Sequence, residues 1–248
     1  MTPLHPQWIV PDWPVAARVR AFMTTRAGGV SPAPFDSMNL GLKSGDAPEN
    51  VHTNRRLLHA ALPAEPAWLQ QVHGAGVVEA ATLQGLPQAD AAWTAEPGVV
   101  CAVMVADCMP VLLCDGAGGA VGAAHAGWRG LSSGVIEATV RAMGTAPSRM
   151  QAWLGPAIGP RNFEVGADVL EAFLAHDADA RDAFAPHPGR PGKWLCDLYM
   201  LARQRLALLG IESVSGGGFC TVADARLFSH RGDRGITGRM AALIWIDA

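Results

Sequence analysis

The run Val99–Ala106 (VVCAVMVA) carries only apolar side chains, which limits what the chain can become. It is far too short for the roughly 20 residues that cross a bilayer. A strand with no polar face is stable only when both faces are covered, so the fold has to be layered. The run breaks at Asp107-Cys108-Met109-Pro110, and apolar character resumes at Val111–Leu113. Ala120–His125, Ala152–Leu154, Phe219–Thr221 and Met240–Ile246 read as further strands, and Arg18–Thr25 alternates polar and apolar residues. Helices are expected over Pro48–Leu62, Ser132–Met143, Val165–Ala175 and Cys196–Leu209. The Pro- and Gly-rich piece Ala185–Gly192 reads as a surface loop. Strands and helices alternate without the regular unit of a doubly wound sheet. The expectation is one α+β domain over residues 1–248, a mixed sheet with helices packed outside it.

Composition narrows the function. With 248 residues, 50% hydrophobic and 17% charged, the chain has ample material for a core and does not read as disordered. A net charge of -3 leaves no strongly basic face, so no nucleic-acid partner is expected, and no membrane partner either. The first residues show no basic start followed by an apolar run, so no signal peptide is read there. Five cysteines, an odd count in a chain of this length, read as reduced thiols. A cytoplasmic protein is expected, monomer or homodimer.

Three segments share one pattern: a strand ends, small residues follow, and a reactive side chain sits at the break. They are Gln71–Gly74 (QVHG), Ala106–Pro110 (ADCMP) and His125–Gly130 (HAGWRG). Side chains at strand ends can converge on one rim held still by the sheet. Two imidazoles and one thiolate suit Zn²⁺, and three protein ligands leave a position open for catalysis. The separations of His73, Cys108 and His125 match no short zinc motif, so the alternative of unrelated surface and core residues stands beside this one.

The local sequences also carry a resemblance. Thr24–Ser31 (TTRAGGVS), Asn39–Gly41 (NLG), the three segments above, Gly155–Gly159 (GPAIG) and Thr237–Arg239 (TGR) follow one another in this order. Together they resemble the bacterial laccase-domain family, also called multicopper polyphenol oxidase or peptidoglycan-editing factor. The resemblance implies an α/β sandwich similar to cysteine-hydrolase-like folds and a metal centre at His73, Cys108 and His125. It also implies phosphorolysis of adenosine, inosine, guanosine and 5′-methylthioadenosine, with adenosine deamination as a second activity. One departure is Gly232 in Phe228–Asp233 (FSHRGD), where a second Arg is expected.

Phosphorolysis needs a phosphate held at the sugar. Arg26, beside a Gly-Gly turn, and Arg129, four residues after His125, are candidate clamps, with Lys43 and Asn39 as further substrate-binding candidates. Asp107 reads as a proton carrier, a ligand-orienting group, or an acid bonding its own turn. Trp93, Trp128 and Phe228 read as purine-stacking or packing aromatics.

Three other readings remain open. A multicopper oxidase typically binds copper through His-x-His pairs, which the chain lacks, although Cu²⁺ would outcompete Zn²⁺ at the same donors in vitro. A hydrolase editing a muramyl-peptide precursor would use Cys108 as a nucleophile activated by His125. A zinc-stabilised binding module without catalysis would need a fourth ligand, such as Cys101 or Cys114.

Overall fold

In the computed structural model, which describes residues 2–248, the chain runs β1 (Val19–Met23), α1 (Pro48–His59), β2 (Val77–Glu79), β3 (Ala91–Thr94) and β4 (Cys101–Val105). It continues through β5 (Met109–Asp115), β6 (Val121–Ala126), α2 (Trp128–Ser132), α3 (Val135–Met143) and β7 (Met150–Leu154). The remainder is β8 (Glu164–Val165), α4 (Ala167–Leu174), β9 (Phe184–Pro186), β10 (Trp194–Cys196), α5 (Leu198–Leu208), β11 (Ser213–Gly216) and β12 (Met240–Ile246).

The period-two alternation of side chains sorts the strands into layers. On β4 and β12, Cys101, Val103, Val105, Ala242 and Ile244 face one core, while Ala102, Leu243 and Trp245 face another. The first core meets Leu112 and Cys114 of β5 and Val121 and Ala123 of β6, so two sheets stack face to face. The second core is closed by Leu58 of α1 and by Leu62. On the far side, Val111, Leu113 and Ala124 pack against α3, α4 and α5. The result has four layers: helix, a three-stranded sheet, a six-stranded sheet, and helices.

The three-stranded sheet is antiparallel, in order β1-β12-β4. The six-stranded sheet, β11-β7-β5-β6-β3-β2, is mixed, with β11–β7 and β2–β3 parallel and the rest antiparallel. The small sheet β8-β10-β9 lies apart from both. A mixed α/β sandwich is therefore what the apolar run required.

Several local expectations shift for physical reasons. The helix read from Ser132 starts at Val135 as α3, because Gly134, at φ 87, separates it from α2, which ends at Ser132. The helices read from Val165 and Cys196 begin later, because their first residues pair in β8 and β10. Asp197 then caps α5 by accepting the Met200 N–H at 3.0 Å. Phe219–Thr221 is a turn rather than a strand, and β11 lies just before it. Among the described residues, no helix is long and apolar enough to cross a membrane.

Candidate metal centre

β4 and β5 belong to different sheets, so the chain must cross the sandwich between them. It does so in Ala106–Cys108, where Asp107 takes a left-handed conformation at φ 85 and Cys108 is left at the crossing. His125, one residue before the end of β6, lies opposite Pro110 and, sharing the parity of Val121 and Ala123, points between the sheets. His73 lies on the turn after Gln71, whose side chain pairs with the Met104 backbone as a strand would, at 2.8 and 2.7 Å. The ligand atoms of His73, Cys108 and His125 all lie within 4.8 Å of one another. The two imidazoles meet edge to face, 4.8 Å between ring centroids. No other group of three His, Cys, Asp or Glu side chains among the described residues comes this close.

One carboxylate organises two of the three ligands. Asp90, fully buried at the head of β3, accepts the His125 Nδ1–H at 2.8 Å through Oδ1. The same oxygen accepts the His73 backbone N–H at 2.9 Å, and Oδ2 accepts those of Gly74 at 2.7 Å and Val72 at 3.2 Å. These bonds hold His73 at φ 62, a conformation that costs a non-glycine residue about 1–2 kcal/mol. With Nδ1 engaged, His125 presents Nε2 to the site, as metal-bound histidines backed by a carboxylate do.

The electrostatics agree. Burial alone would raise the Asp90 carboxyl, but hydrogen bonds from His125 and from the Gly74 and Val72 amides hold it below its ordinary value. Burial likewise opposes ionisation of Cys108, yet the His125 charge and hydrogen bonds from both imidazoles bring the thiol down to about 6. His125 rises to about 9, because the Cys108 thiolate and Asp90 outweigh its burial. Cys101 and Cys114 face the inter-sheet core, and burial raises both thiols, Cys114 to about 12. Neither joins the His73 cluster as a fourth ligand.

The three ligands open onto a cleft of about 500 Å³. Leu69, Leu86, Met104, Ile158 and Phe163 make its apolar wall. Lys43, Arg55, Arg231 and Arg239 bring positive charge, against the single carboxylate of Asp107. The cleft thus combines apolar surface with an excess of positive charge.

Residues 20–247 match the family described as multi-copper polyphenol oxidoreductase laccase. The chain belongs to that family. A purine nucleoside phosphorylase of Pseudomonas aeruginosa is 55% identical over 241 residues, 97% of this chain and 98% of its own length. The purine nucleoside phosphorylase YfiH of Escherichia coli is 53% identical over 245 residues, 96% of this chain and 98% of its own. A crystal structure of a Neisseria meningitidis protein superposes with a TM-score of 0.92 at 49% identity, covering 97% of this chain and 99% of that one. That of YlmD from Geobacillus stearothermophilus gives 0.82 at 32% identity, covering 94% and 93%.

In this laccase-family chain several sequence candidates fall elsewhere. Arg26 is not on the cleft; it pairs with Asp233 at 3.2 Å and lies over the Phe228 ring at 4.8 Å. Arg129 is also off the cleft, exposed on α2 and stacked on its neighbour Trp128 at 4.4 Å. Only four positions separate Arg129 from His125, but β6 ends between them and the start of α2 turns Arg129 away. Trp93 and Trp128 pack against the helix-side core, and Phe228 is buried between the sheets. Asn39 is buried behind the wall, while Lys43 lines the cleft. Asp107 lines it too, but its carboxylate accepts from Thr221 Oγ1 at 2.5 Å, Ser229 Oγ at 2.7 Å and the Arg231 N–H at 2.6 Å. Those bonds tie the 221–231 segment to the crossing at Asp107. Gly232, where a second Arg had been expected, lies off the cleft, and its N–H bonds Ser229 Oγ at 2.9 Å.

Sequence reasoning missed Asp90, Arg55, Arg231 and Arg239 as parts of the site. Asp90 had one local signal, an acid at the head of an apolar strand, with nothing to name its partners. Arg231 and Arg239 stood inside recognisable segments but far from the ligands along the chain.

Proposed function

We propose that this chain is a cytoplasmic zinc-dependent purine nucleoside phosphorylase acting on adenosine, inosine, guanosine or 5′-methylthioadenosine. The observation that carries the reading is the joint grip of Asp90 on the His73 turn and the His125 ring, aimed at the Cys108 thiol. A thiol catalyst needs one imidazole; a second imidazole, held on an unfavourable backbone to reach the same point, is what a three-ligand metal site needs. The donors fit zinc: two nitrogens and a readily ionised sulfur, with no fourth protein ligand beside them. Held by His73, Cys108 and His125, zinc would supply a Lewis acid.

The chain's own residues divide the remaining work. The apolar wall takes the purine face, and the cationic side takes phosphate. In the reaction a phosphate oxygen bonds to C1′ as the C1′–N9 bond breaks, and the hydrogenphosphate proton leaves on the base. Asp107, saturated by three donors, acts as the positioning residue for the segment bearing Arg231. The names of the relatives in Pseudomonas aeruginosa and Escherichia coli support the same activity.

The zinc-loaded protein with adenosine and phosphate should release adenine and ribose 1-phosphate. No base release from any of the four nucleosides, with metal intact, overturns the reading. Omitting phosphate in the same assay tests deamination, since inosine would then form from adenosine.

The alignment of Cys108, His125 and Asp90 also favours a second reading, a thiolate–imidazolium hydrolase. Full activity in chelator-stripped protein, abolished by iodoacetamide, would decide for the thiol.

A further inference from the structure

Arg26 and Arg129 lie off the cleft, so the phosphate of the proposed reaction needs another holder. Of the four cations on the wall, two are already committed. Arg55 donates through Nε and Nη2 to the Leu40 carbonyl at 3.1 and 2.9 Å, with its face on Trp68. Arg231 gives both Nη atoms to the Glu164 carbonyl at 3.2 Å. Arg239 is different. Only its Nη1 is held, by the Thr237 and Gly238 carbonyls at 2.8 and 3.0 Å. Its Nε and Nη2 edge makes no hydrogen bond or ion pair among the described residues, and the residue is half-buried. A guanidinium fixed from behind, with its two-donor edge free, matches two oxygens of one phosphate.

The surroundings are built to place it. The Asn39 side chain accepts the Arg239 backbone N–H at 2.9 Å and that of Gly41 at 3.0 Å. Its amide donates to Ser44 at 2.7 Å and Asp46 at 3.0 Å, joining the loop that carries Lys43 to Arg239. Gly41 leaves the room: a Cβ there would lie 2.6 Å from Arg239 Cγ. Burial disfavours the Arg239 charge, and the charges of Cys108 and Asp107 offset part of that, so its guanidinium lies within electrostatic reach of those two residues.

We propose that Arg239 binds the phosphate co-substrate through its Nε–Nη2 edge, that Lys43 on the tied loop completes the grip, and that Asn39 is the positioning residue for both. The proposal rests on the phosphorolysis reading for its ligand. A neutral nucleoside offers nothing to balance a half-buried cation, whereas a phosphate dianion does.

The test is steady-state kinetics on zinc-loaded enzyme with phosphate and adenosine varied separately, together with calorimetric binding of inorganic phosphate. Arg239→Ala should raise the KM for phosphate by about 10- to 100-fold, leaving the adenosine KM within about twofold and the zinc content unchanged. Added methylguanidinium should recover part of the loss, which a merely structural defect would not allow. Lys43→Ala should show a smaller shift in the same direction. Should Arg239→Ala fail to fold, Arg239→Lys, which keeps the charge but not the fork, should still raise the phosphate KM by about tenfold. An unchanged phosphate KM and unchanged phosphate binding in these variants overturn the assignment while leaving phosphorolysis standing. Phosphate binding that depends on Arg239 in a protein that releases no base would keep the anion site and sink the reaction.

Discussion

Replacing Asp90 by Asn removes one charge and one acceptor at the point that serves two ligands. Oδ1 accepts from His73 N and His125 Nδ1, and Oδ2 from Gly74 N and Val72 N. An Asn amide must put its NH₂ group at one of those two places, where it faces two donors. If it takes the Oδ2 place, the Gly74 and Val72 amides lose their acceptor. If it takes the Oδ1 place, the His73 amide loses its acceptor, and the His125 ring can keep the contact only by accepting at Nδ1, which puts the proton on the nitrogen aimed at the metal. Two bonds to a charged acceptor, at about 1.5 kcal/mol each, amount to about 3 kcal/mol. For a chain of this length that lowers Tm by about 6 °C or more. Loss of a carboxylate behind a metal-bound histidine separately weakens zinc by about 10- to 100-fold.

The two effects separate by measuring Tm in EDTA and in excess zinc. The EDTA difference between wild type and Asp90→Asn isolates the hydrogen bonds. The zinc-dependent rise in Tm reports affinity, and a 10- to 100-fold loss removes about 1.4–2.7 kcal/mol of it at fixed free zinc. Competition against a chromophoric chelator gives the affinity directly. Zinc affinity within about twofold of wild type, with the same zinc-dependent rise in Tm, would refute the argument that Asp90 organises the site.

Other outcomes follow from the same geometry. Gly127→Ala suits the local backbone, at φ -65, but sets a Cβ 2.6 Å from Cys108 Sγ. It should keep the far-UV spectrum and Tm of the metal-free protein while lowering zinc affinity by at least about tenfold. Cys108→Ala should abolish zinc binding by metal analysis, whereas Cys114→Ala should leave zinc at wild-type stoichiometry and cost stability through its cavity. In metal-free protein, Cys108 is lowered from 9.0 to about 6, so its stabilisation is full above the unfolded value and is lost as pH falls through about 6. His125 is raised from 6.5 to about 9, so its contribution is full below 6.5 and is lost as pH rises through about 9. Tm in EDTA should therefore fall on both sides of that window, and a curve flat from pH 5 to 10 would contradict the ion pair. Zinc binding at pH 7.5 should release about one proton, taken from His125, as read from calorimetry in buffers of different ionisation enthalpy.

Much of the layering was legible because alternation is a local property. The strands at Val99–Val105, Ala120–His125 and Met240–Ile246 appear within a residue or two of where periodicity placed them. β3 and β11 passed unnoticed because AAWT and SVSG are short and carry no period that separates them from loop. The three ligands were legible as residue types at breaks between apolar stretches, and they converge. The second layer was not. Asp90 meets His125 across paired strands β3 and β6, and Arg239 meets Asn39 across 200 positions; neither spacing leaves a mark in one sequence.

The same limit explains why Arg26 and Arg129 were drawn into the site and Arg239 was not. Proximity along the chain to a ligand or a Gly-rich turn says nothing about direction, and direction is set by the sheets. Arg129 follows His125, but β6 ends between them and α2 starts off toward the helix-side layer. Arg239 precedes β12 in the smaller sheet, and β12 pairs with β4, the strand from which the chain departs to reach Cys108. The loop entering β12 therefore opens onto the crossing where Cys108 lies, and its cation faces the cleft. His125 comes from the six-stranded sheet, Cys108 from the crossover and His73 from a turn tied to both sheets, while Arg239 leads into the central strand of the three-stranded one. On the proposed assignment, metal and anion would be held from the two sheets, which pack on one another through Val103, Leu112, Val121 and Ile244. A cavity in that core, as in Leu112→Ala, should loosen this packing as well as cost about 2–5 kcal/mol of stability. Its effect should fall on kcat more than on zinc content, because Asp90 still ties the His73 turn to His125 and Cys108 directly precedes β5, whereas Arg239 enters the other sheet.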